Sequence, residues 1–289
     1  MKPLFHAILI ALAIAFPATA DETTFTLAQE LLTEEQYPLA GVEFRRMALE
    51  TTDPQEQSAA YLYAGYSYLN AGQPEFTGEM LDRAEAADQA SEYTGAIALL
   101  SAENAFSVRD LDSALYYYDL LANDAAAGDS RAFALRRAAT VHLLQRDPEA
   151  ARRRLVQLGA GSSLSIQALE EYAAGKDKKP MVGGLLGIIP GAGYWYSGEI
   201  ANGFRSLILN SLFIYGMVDT ARDDQWGAFA IITFFELTWY SGSIYGGVDA
   251  AHRYNQERLD QAIQGIERDM SYAPESGITL PIFKLNFEF

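Results

Sequence analysis

The chain has 289 residues, and its 38 acidic residues outnumber 21 lysines and arginines, so the formal net charge is −17 at pH 7. That balance argues against a nucleic-acid-binding protein, because binding to a phosphate backbone needs clustered basic residues. The absence of cysteine excludes disulfides, thiolate zinc sites, cysteine nucleophiles and a lipid attached through an N-terminal Cys. The length suits one or two domains with a sizeable core.

Residues 1–20 have the pattern of a secretory signal peptide. Lys2 precedes an uncharged run, and Ala18-Thr19-Ala20 forms a small-x-small end before Asp21. We expect cleavage after Ala20. The alternative is an uncleaved N-terminal anchor, and in both cases the following segment is exported.

Residues 21–175 are predicted to form a helical repeat domain. Ala, Leu, Glu, Arg and Tyr recur at three-to-four spacing between short polar turns. Pairs of small or apolar residues twelve positions apart also recur, their first members separated by 36, 38 and 36 residues: Ala28 and Ala40, Ala64 and Phe76, Ala102 and Ala114, Ala138 and Ala150. This interval is close to the period of helix-turn-helix repeats.

These pairs resemble the tetratricopeptide repeat, in which a small residue on the first helix and an alanine twelve further on let paired helices approach closely. Phe76 departs from that pattern. The resemblance implies four units over residues 25 to about 158, a capping helix near 164–173, and a concave groove lined by first helices. A generic helical bundle is the alternative. Rigid amphipathic rings suit protein recognition, and we assign Tyr61 and Tyr68 to the groove, leaving the other tyrosines to the core.

Charge is unevenly distributed along this region. Residues 21–130 carry 21 acids and four arginines, whereas 131–154 carry seven arginines and two acids. Guanidinium groups suit carboxylates and phosphates, so the basic segment is a candidate site for an acidic partner segment or an anionic lipid headgroup. Its candidate residues are Arg136, Arg137, Arg152 and Arg153. A solvated face paired with neighbouring acids is the alternative.

Residues 176–256 are predicted to form a membrane domain. No charge occurs between Lys179 and Glu199, and Pro190-Gly191 would break a straight span there. Residues 200–218 and 226–248 contain one charge each and reach roughly 28 and 34 Å as helices, which is enough to cross hydrocarbon. We therefore expect a transmembrane helical hairpin.

A glycine-rich signature precedes this hairpin, and it consists of Pro190, Gly191, Gly193, Tyr196, Gly198 and Gly203. It resembles the PGxGQxYxGxxxxG signature of small bacterial two-helix membrane domains, often found after helical repeats, although Tyr194 replaces the Gln. Asp249 and Tyr254-Asn255 match that family's closing pattern. The resemblance covers residues 180–256 and implies a membrane module without a reaction.

Glu236 is an ionisable residue within a predicted span, which is by default a functional hypothesis. Asn210 lies at a comparable depth in the preceding span and is its candidate hydrogen-bond partner. Glu236 would then support assembly or small-solute passage in an oligomer, and a structural, hydrogen-bonded glutamate is the alternative.

No catalytic triad, phosphate loop or His-Glu-x-x-His motif occurs, and Asp249 with His252 is too small a set for a metal site. We therefore expect a protein that is not an enzyme and has no metal or cofactor.

The tail, residues 257–289, is predicted to hold a charged helix and a short strand. Phe283, Leu285, Phe287 and Phe289 alternate with other residues at a period of two, which is typical of a half-buried strand.

Taken together, these features predict an all-α, tetratricopeptide-like repeat solenoid with a transmembrane hairpin and a C-terminal strand. The expected function is that of a scaffold or adaptor of the bacterial cell envelope, in the inner membrane with its repeats in the periplasm; association with the outer membrane stays open. Its expected partners are envelope proteins and membrane lipid, not nucleic acid. The alternative is an oligomeric transport or assembly component that uses the hairpin and Glu236.

Overall fold

The structure, a computed structural model, describes residues 22–123, 128–159 and 163–271. The predicted signal peptide at 1–20 and the predicted strand at 282–289 lie outside these residues. The described chain is helical, with the following helices: α1 Glu22–Thr33, α2 Tyr37–Glu50, α3 Pro54–Asn70, α4 Pro74–Ala87, α5 Thr94–Ser107, α6 Leu111–Asn123, α7 Gly128–Leu144, α8 Pro148–Val156, α9 Ser163–Ala174, α10 Pro180–Leu186, α11 Ala192–Tyr196, α12 Ile200–Arg222 and α13 Trp226–Ser271. The all-α prediction is confirmed for this part of the chain.

These helices divide into two compact units. Unit 1 contains the described residues up to Ile166 together with 266–271, and unit 2 contains Gln167–Gly265. Helices α9 and α13 each contribute residues to both units. The predicted charged helix of the tail is the continuation of α13, with no break after residue 256.

Unit 1 is a series of helical hairpins in which each helix packs on the next from α1 to α8. Helix starts follow local chemistry. Pro38, Pro54, Pro74 and Pro148 occupy the first turns of their helices, where a missing N–H costs nothing. Asp53 and Asp147 accept hydrogen bonds from backbone amides at the starts of α3 and α8.

The repeat of unit 1 has an exact period of 37 residues. The first helices of the hairpins end at Thr33, Asn70, Ser107 and Leu144, and the second helices begin at Tyr37, Pro74, Leu111 and Pro148. Both series advance by 37 at every step. The approximate period read from the sequence is therefore confirmed and sharpened.

Each hairpin turns through the same backbone conformation. One residue in each turn has a positive φ: Glu35 at 58°, Gly72 at 67°, Arg109 at 61° and Arg146 at 63°. In all four turns the backbone amide of the residue that follows it donates to the carbonyl five residues before that amide, at 2.8–2.9 Å. This is the Schellman arrangement, which satisfies the last carbonyls of a helix and reverses the chain.

The structural period corrects two of the predicted residue pairs by one position. Ala28 with Ala40 and Ala102 with Ala114 are buried at equivalent sites. In the other two hairpins the equivalent pairs are Gly65 with Thr77 and Ala139 with Ala151, not Ala64 with Phe76 and Ala138 with Ala150. Phe76 accordingly stands outside the core, 48% exposed. All eight equivalent positions are buried.

Unit 2 contains the predicted break in the apolar segment. Helices α10 and α11 are short, and Gly191 between them has a φ of 89°, a conformation that favours glycine. Helices α12 and α13 follow as an antiparallel pair, joined by contacts such as Ser206 to Ser243.

The prediction of two transmembrane helices, at 200–218 and 226–248, finds no support in the composition of α12 and α13. No helix in the part of the chain that the structure describes is both long and apolar enough to cross a membrane. The lengths, 23 and 46 residues, are sufficient. Polar residues within the two segments, including Arg205, Asn210 and Glu236, lower the mean hydropathy.

Candidate functional site

The predicted groove is not open along α3, the first helix of the second hairpin. Eleven consecutive residues, 58–68, are buried. Tyr61 and Tyr68, which were assigned to the groove, are each only 5% exposed. The Arg83 guanidinium lies 5.7 Å from the centre of the Tyr61 ring, and Tyr68 packs against Phe76 with ring centres 5.4 Å apart. Both tyrosines therefore serve the packing between helices.

The exposed apolar side chains of unit 1 lie mainly on its second helices. Ten large hydrophobic residues are exposed in this unit, and seven of them are on α2, α4, α6 and α8: Leu39, Val42, Leu49, Phe76, Tyr116, Leu120 and Val156. Leu39 and Phe76 are separated by one period of 37, and Val42 and Tyr116 by two. The second helices thus form a candidate protein-binding face, which we call the second-helix face.

A buried charged cluster connects three helices and the end of α13 within unit 1. Arg137 donates to Glu103 at 2.9 Å and to Glu267 at 3.0 Å, and its side chain is 12% exposed. Tyr118, fully buried, donates its hydroxyl to the other oxygen of Glu103 at 2.6 Å. The guanidinium also lies 5.1 Å from the centre of the Phe106 ring. Arg137, a predicted partner-binding residue, is therefore committed to acids of the same chain.

Burial changes the acid–base behaviour of this cluster. Burial raises the pKa of Tyr118 well above its usual range, and the Glu103 carboxylate raises it further. Burial also raises the pKa of Glu267, although Arg137 acts in the opposite direction. Burial lowers the pKa of Arg137, but Glu103, Tyr118 and Glu267 together outweigh this and the net direction is upward. The charged arginine is the species that holds the cluster together.

The sequence interpretation missed Glu103 and Tyr118. Glu103 stands beside Ala102 in a helix whose neighbouring residues are almost all apolar and buried. A lone acid at a core position of an otherwise apolar helix was the available signal, since such an acid must be paired.

The other predicted arginines lie at different depths. Arg136 is half-buried, and Arg152 and Arg153 are exposed on α8. Arg154, beside them, pairs with Asp119 at 2.8 Å. Pairing with neighbouring acids, the alternative kept open for this basic segment, thus applies to Arg137 and Arg154.

The glycine signature of unit 2 builds a close-packed junction. A Cβ on Gly193 would lie 2.4 Å from the Gly183 carbonyl oxygen, and one on Gly191 would lie 2.2 Å from the Gly203 carbonyl oxygen. A Cβ on Gly203 would overlap the Trp195 ring. Backbone therefore contacts backbone or ring at these positions, and the motif has a packing role. Gly198 has a φ of 84°, which sets the turn before α12.

The two halves of the signature meet at Lys178. The Lys178 amide donates to Asn255 Oδ1 at 2.7 Å, and Asn255 Nδ2 donates to the Lys178 carbonyl at 2.8 Å. The Lys178 ammonium lies 4.8 Å from the centre of the Tyr196 ring and 5.3 Å from that of Tyr254. The Tyr196 ring therefore packs against the residues that precede α10. Pro190 is half-buried at the break before α11.

Polar side chains are buried between α12 and α13. Ser206 donates to Ser243 at 3.0 Å, and Asn210 donates to the Ser206 carbonyl at 2.6 Å. Glu236 is 6% exposed, and its Oε2 and the Oδ1 of Asn210 both lack a hydrogen-bond partner. The predicted hydrogen bond between Asn210 and Glu236 is therefore absent; the Asn210 amide turns to its own helix instead.

Unit 2 exposes an unusual amount of apolar surface. Of 29 exposed large hydrophobic residues among those described, 19 lie within residues 181–245. On α13 they include Phe234, Phe235, Leu237 and Trp239, which at 100° per residue occupy more than half of the helix circumference. Surfaces of this extent mark sites of protein or membrane contact. We call these exposed side chains the apolar surface of unit 2.

Some titratable groups elsewhere in unit 2 form ordinary ion pairs. Arg253 contacts Asp249 and donates to Glu199 at 2.6 Å. Asp249 is exposed and occupied by this pair, and across the described ranges no group of three or more metal-ligating side chains occurs.

Comparison with known proteins found no matching family model, no matching curated protein and no matching solved structure.

Proposed function

We propose that this protein is a non-enzymatic adaptor of the bacterial cell envelope that attaches to a membrane surface and binds partner proteins. The apolar surface of unit 2 supplies the attachment, and the tetratricopeptide-like hairpins of unit 1 supply the partner site. The observation that carries the proposal is the concentration of exposed apolar side chains in residues 181–245. The predicted signal peptide and the two family resemblances in the sequence agree with it.

Lipid is the better occupant for this surface because apolar residues are exposed over a wide arc of α13. A protein partner contacts one face of a helix, whereas the acyl chains at a membrane surface can cover a wider arc. Exposed tryptophans and tyrosines, such as Trp226, Tyr215 and Tyr245, are residue types enriched at membrane–water interfaces.

Flotation of the purified chain with phosphatidylcholine vesicles tests the attachment. We expect the wild type to float, and the double variant Phe234→Ser/Phe235→Ser to bind at least roughly tenfold less, since each fully buried Phe contributes about 1.5–3 kcal/mol. The control Leu39→Ser/Phe76→Ser removes two exposed apolar residues from unit 1 and should float like the wild type. Wild-type protein that stays at the bottom of the gradient would refute the attachment.

Photo-crosslinking from the second-helix face tests the partner site. A photoreactive residue placed at Val42 or Tyr116 should give a discrete adduct in cells of the source organism. The adduct should disappear with Leu39→Ser/Phe76→Ser and persist with Phe234→Ser/Phe235→Ser when the latter chain is tethered to the membrane. Equal yields from all variants would contradict a role for this face.

A second candidate, oligomeric assembly, is favoured by Glu236. Its buried, unpaired oxygen is costly in a monomer. Sedimentation in detergent should show an oligomer that Glu236→Gln weakens, whereas the exposed control Asp219→Asn leaves it intact. A wild-type monomer at all concentrations would refute assembly.

A further inference from the structure

Unit 2 contains a cleft of about 280 Å³ that opens beside the cationic side chain of Arg205. Residues of α11, α12 and α13 line it, among them Tyr194, Asn202, Arg205, Thr238 and Trp239. The cleft belongs to neither the glycine junction nor the second-helix face.

Arg205 has donor capacity that the described residues leave unused. One of its amino groups donates to Asn202 Oδ1 at 3.1 Å. In the described ranges no carboxylate forms an ion pair with it, whereas in the same unit Arg253 contacts two carboxylates and Arg258 contacts one. A guanidinium group carries five N–H donors, so most of them are available to a ligand.

The surroundings of Arg205 are apolar and exposed. Phe204 precedes it, and Ile208 lies one helical turn further along α12; both belong to the apolar surface of unit 2. If this surface contacts lipid, the guanidinium cannot enter hydrocarbon without a large cost, and it must extend to the headgroups. Tyr194 and Trp239 line the same cleft, and these residue types prefer that level of a membrane.

We propose that this cleft binds the phosphate of an anionic phospholipid, with Arg205 as the principal ligand. Guanidinium groups match phosphate geometry with paired N–H donors. The proposal rests on the membrane attachment described above. General electrostatics oppose it, because a chain of net charge −17 is repelled by an anionic surface, so a preference for anionic lipid has to come from a local site.

Vesicle flotation with two lipid compositions tests the site. Wild type, Arg205→Gln and the control Arg222→Gln are compared on pure phosphatidylcholine and on phosphatidylcholine containing phosphatidylglycerol. Arg222 is an exposed arginine at the far end of α12, so the control removes the same charge outside the cleft. We expect wild type and Arg222→Gln to prefer the anionic vesicles by roughly fivefold, and Arg205→Gln to lose that preference.

The outcomes separate this site from the attachment itself. If no form of the chain floats on either vesicle, the attachment fails, and the lipid site fails with it. If all forms float but Arg205→Gln keeps the anionic preference, or both arginine variants lose it equally, the site alone is refuted. If millimolar inorganic phosphate abolishes the wild-type preference, the cleft binds free phosphate and the lipid headgroup is the wrong source. Circular dichroism should be the same for all three forms, and a lost helical signal in Arg205→Gln would overturn a ligand role in favour of a structural one.

Discussion

Arg137 is the residue on which the buried cluster of unit 1 depends. It neutralises Glu103 and Glu267 at once, and both partners lie on helices remote in sequence. Removing one member of a buried ion pair leaves an uncompensated charge, which typically costs about 3–5 kcal/mol. We expect Arg137→Met to lower the free energy of unfolding by about 3 kcal/mol in urea titrations. Arg153→Met, on the exposed face of α8, should change it by less than about 0.5 kcal/mol.

His142 should make unit 1 less stable in mild acid. Burial lowers the pKa of His142 below its usual 6.5, and the nearby Arg154 lowers it further. The unfolded chain therefore takes up a proton more readily than the folded one, and stability falls as the pH drops below 6.5 towards the folded pKa. Melting temperatures between pH 7.5 and 5 should fall less for His142→Gln than for the wild type. Parallel curves for the two proteins would contradict this assignment.

At the scale of the element, the four turns of unit 1 differ in the residue that adopts the positive φ, and this difference can be tested. Only Gly72 among the four positive-φ turn residues is a glycine; Glu35, Arg109 and Arg146 adopt this conformation at a cost of about 1 kcal/mol each. Arg109 is exposed, so we expect Arg109→Gly to raise the free energy of unfolding by up to about 1 kcal/mol. Gly72→Ala should lower it by a similar amount, because a Cβ there meets no atom and only the backbone conformation penalises it.

The glycines of unit 2 should differ sharply in tolerance. Gly193→Ala places a Cβ 2.8 Å from the Gly247 Cα as well as against the Gly183 carbonyl, so backbone would have to move. Overpacking of this kind costs about 1–3 kcal/mol. Gly242→Ala meets nothing within 4 Å in the middle of α13 and should be neutral or stabilising. Thermal melts of the two variants compare them directly, and equal losses would contradict a special role for the junction.

Sequence periodicity predicted the helical hairpins but not their register. Prolines such as Pro38, Pro74 and Pro148 mark where the chain reverses, but no residue marks which small side chain of a first helix is equivalent from one hairpin to the next. Without that marker, Ala64 and Gly65 were equally good small residues, and the wrong one was chosen. Glu103 escaped notice for a related reason: its partner Arg137 is 34 residues away, and only the stacking of hairpins brings them together.

At the scale of the whole molecule, the sequence predicted two transmembrane spans for which α12 and α13 give no support. The apolar runs after Glu199 are long, and their few charges stand near helix ends or appear isolated. Counting charges alone overlooked Asn, Ser, Thr and Tyr, which lower hydropathy without changing charge. The exposed side chains of α12 and α13 supply what the sequence could not, because they show which apolar residues remain uncovered once the helices have paired.

Because the four turns of unit 1 share one backbone conformation, a whole hairpin can be removed or duplicated. Residues 74–110 begin and end at equivalent points of successive turns, so removing or duplicating them joins backbone segments that already share one geometry. Crossovers between misaligned gene copies at these points would lengthen or shorten the array by whole hairpins without creating a new kind of junction. The length of the hairpin array can therefore change in a single genetic event, whereas the glycine junction of unit 2 permits no such step.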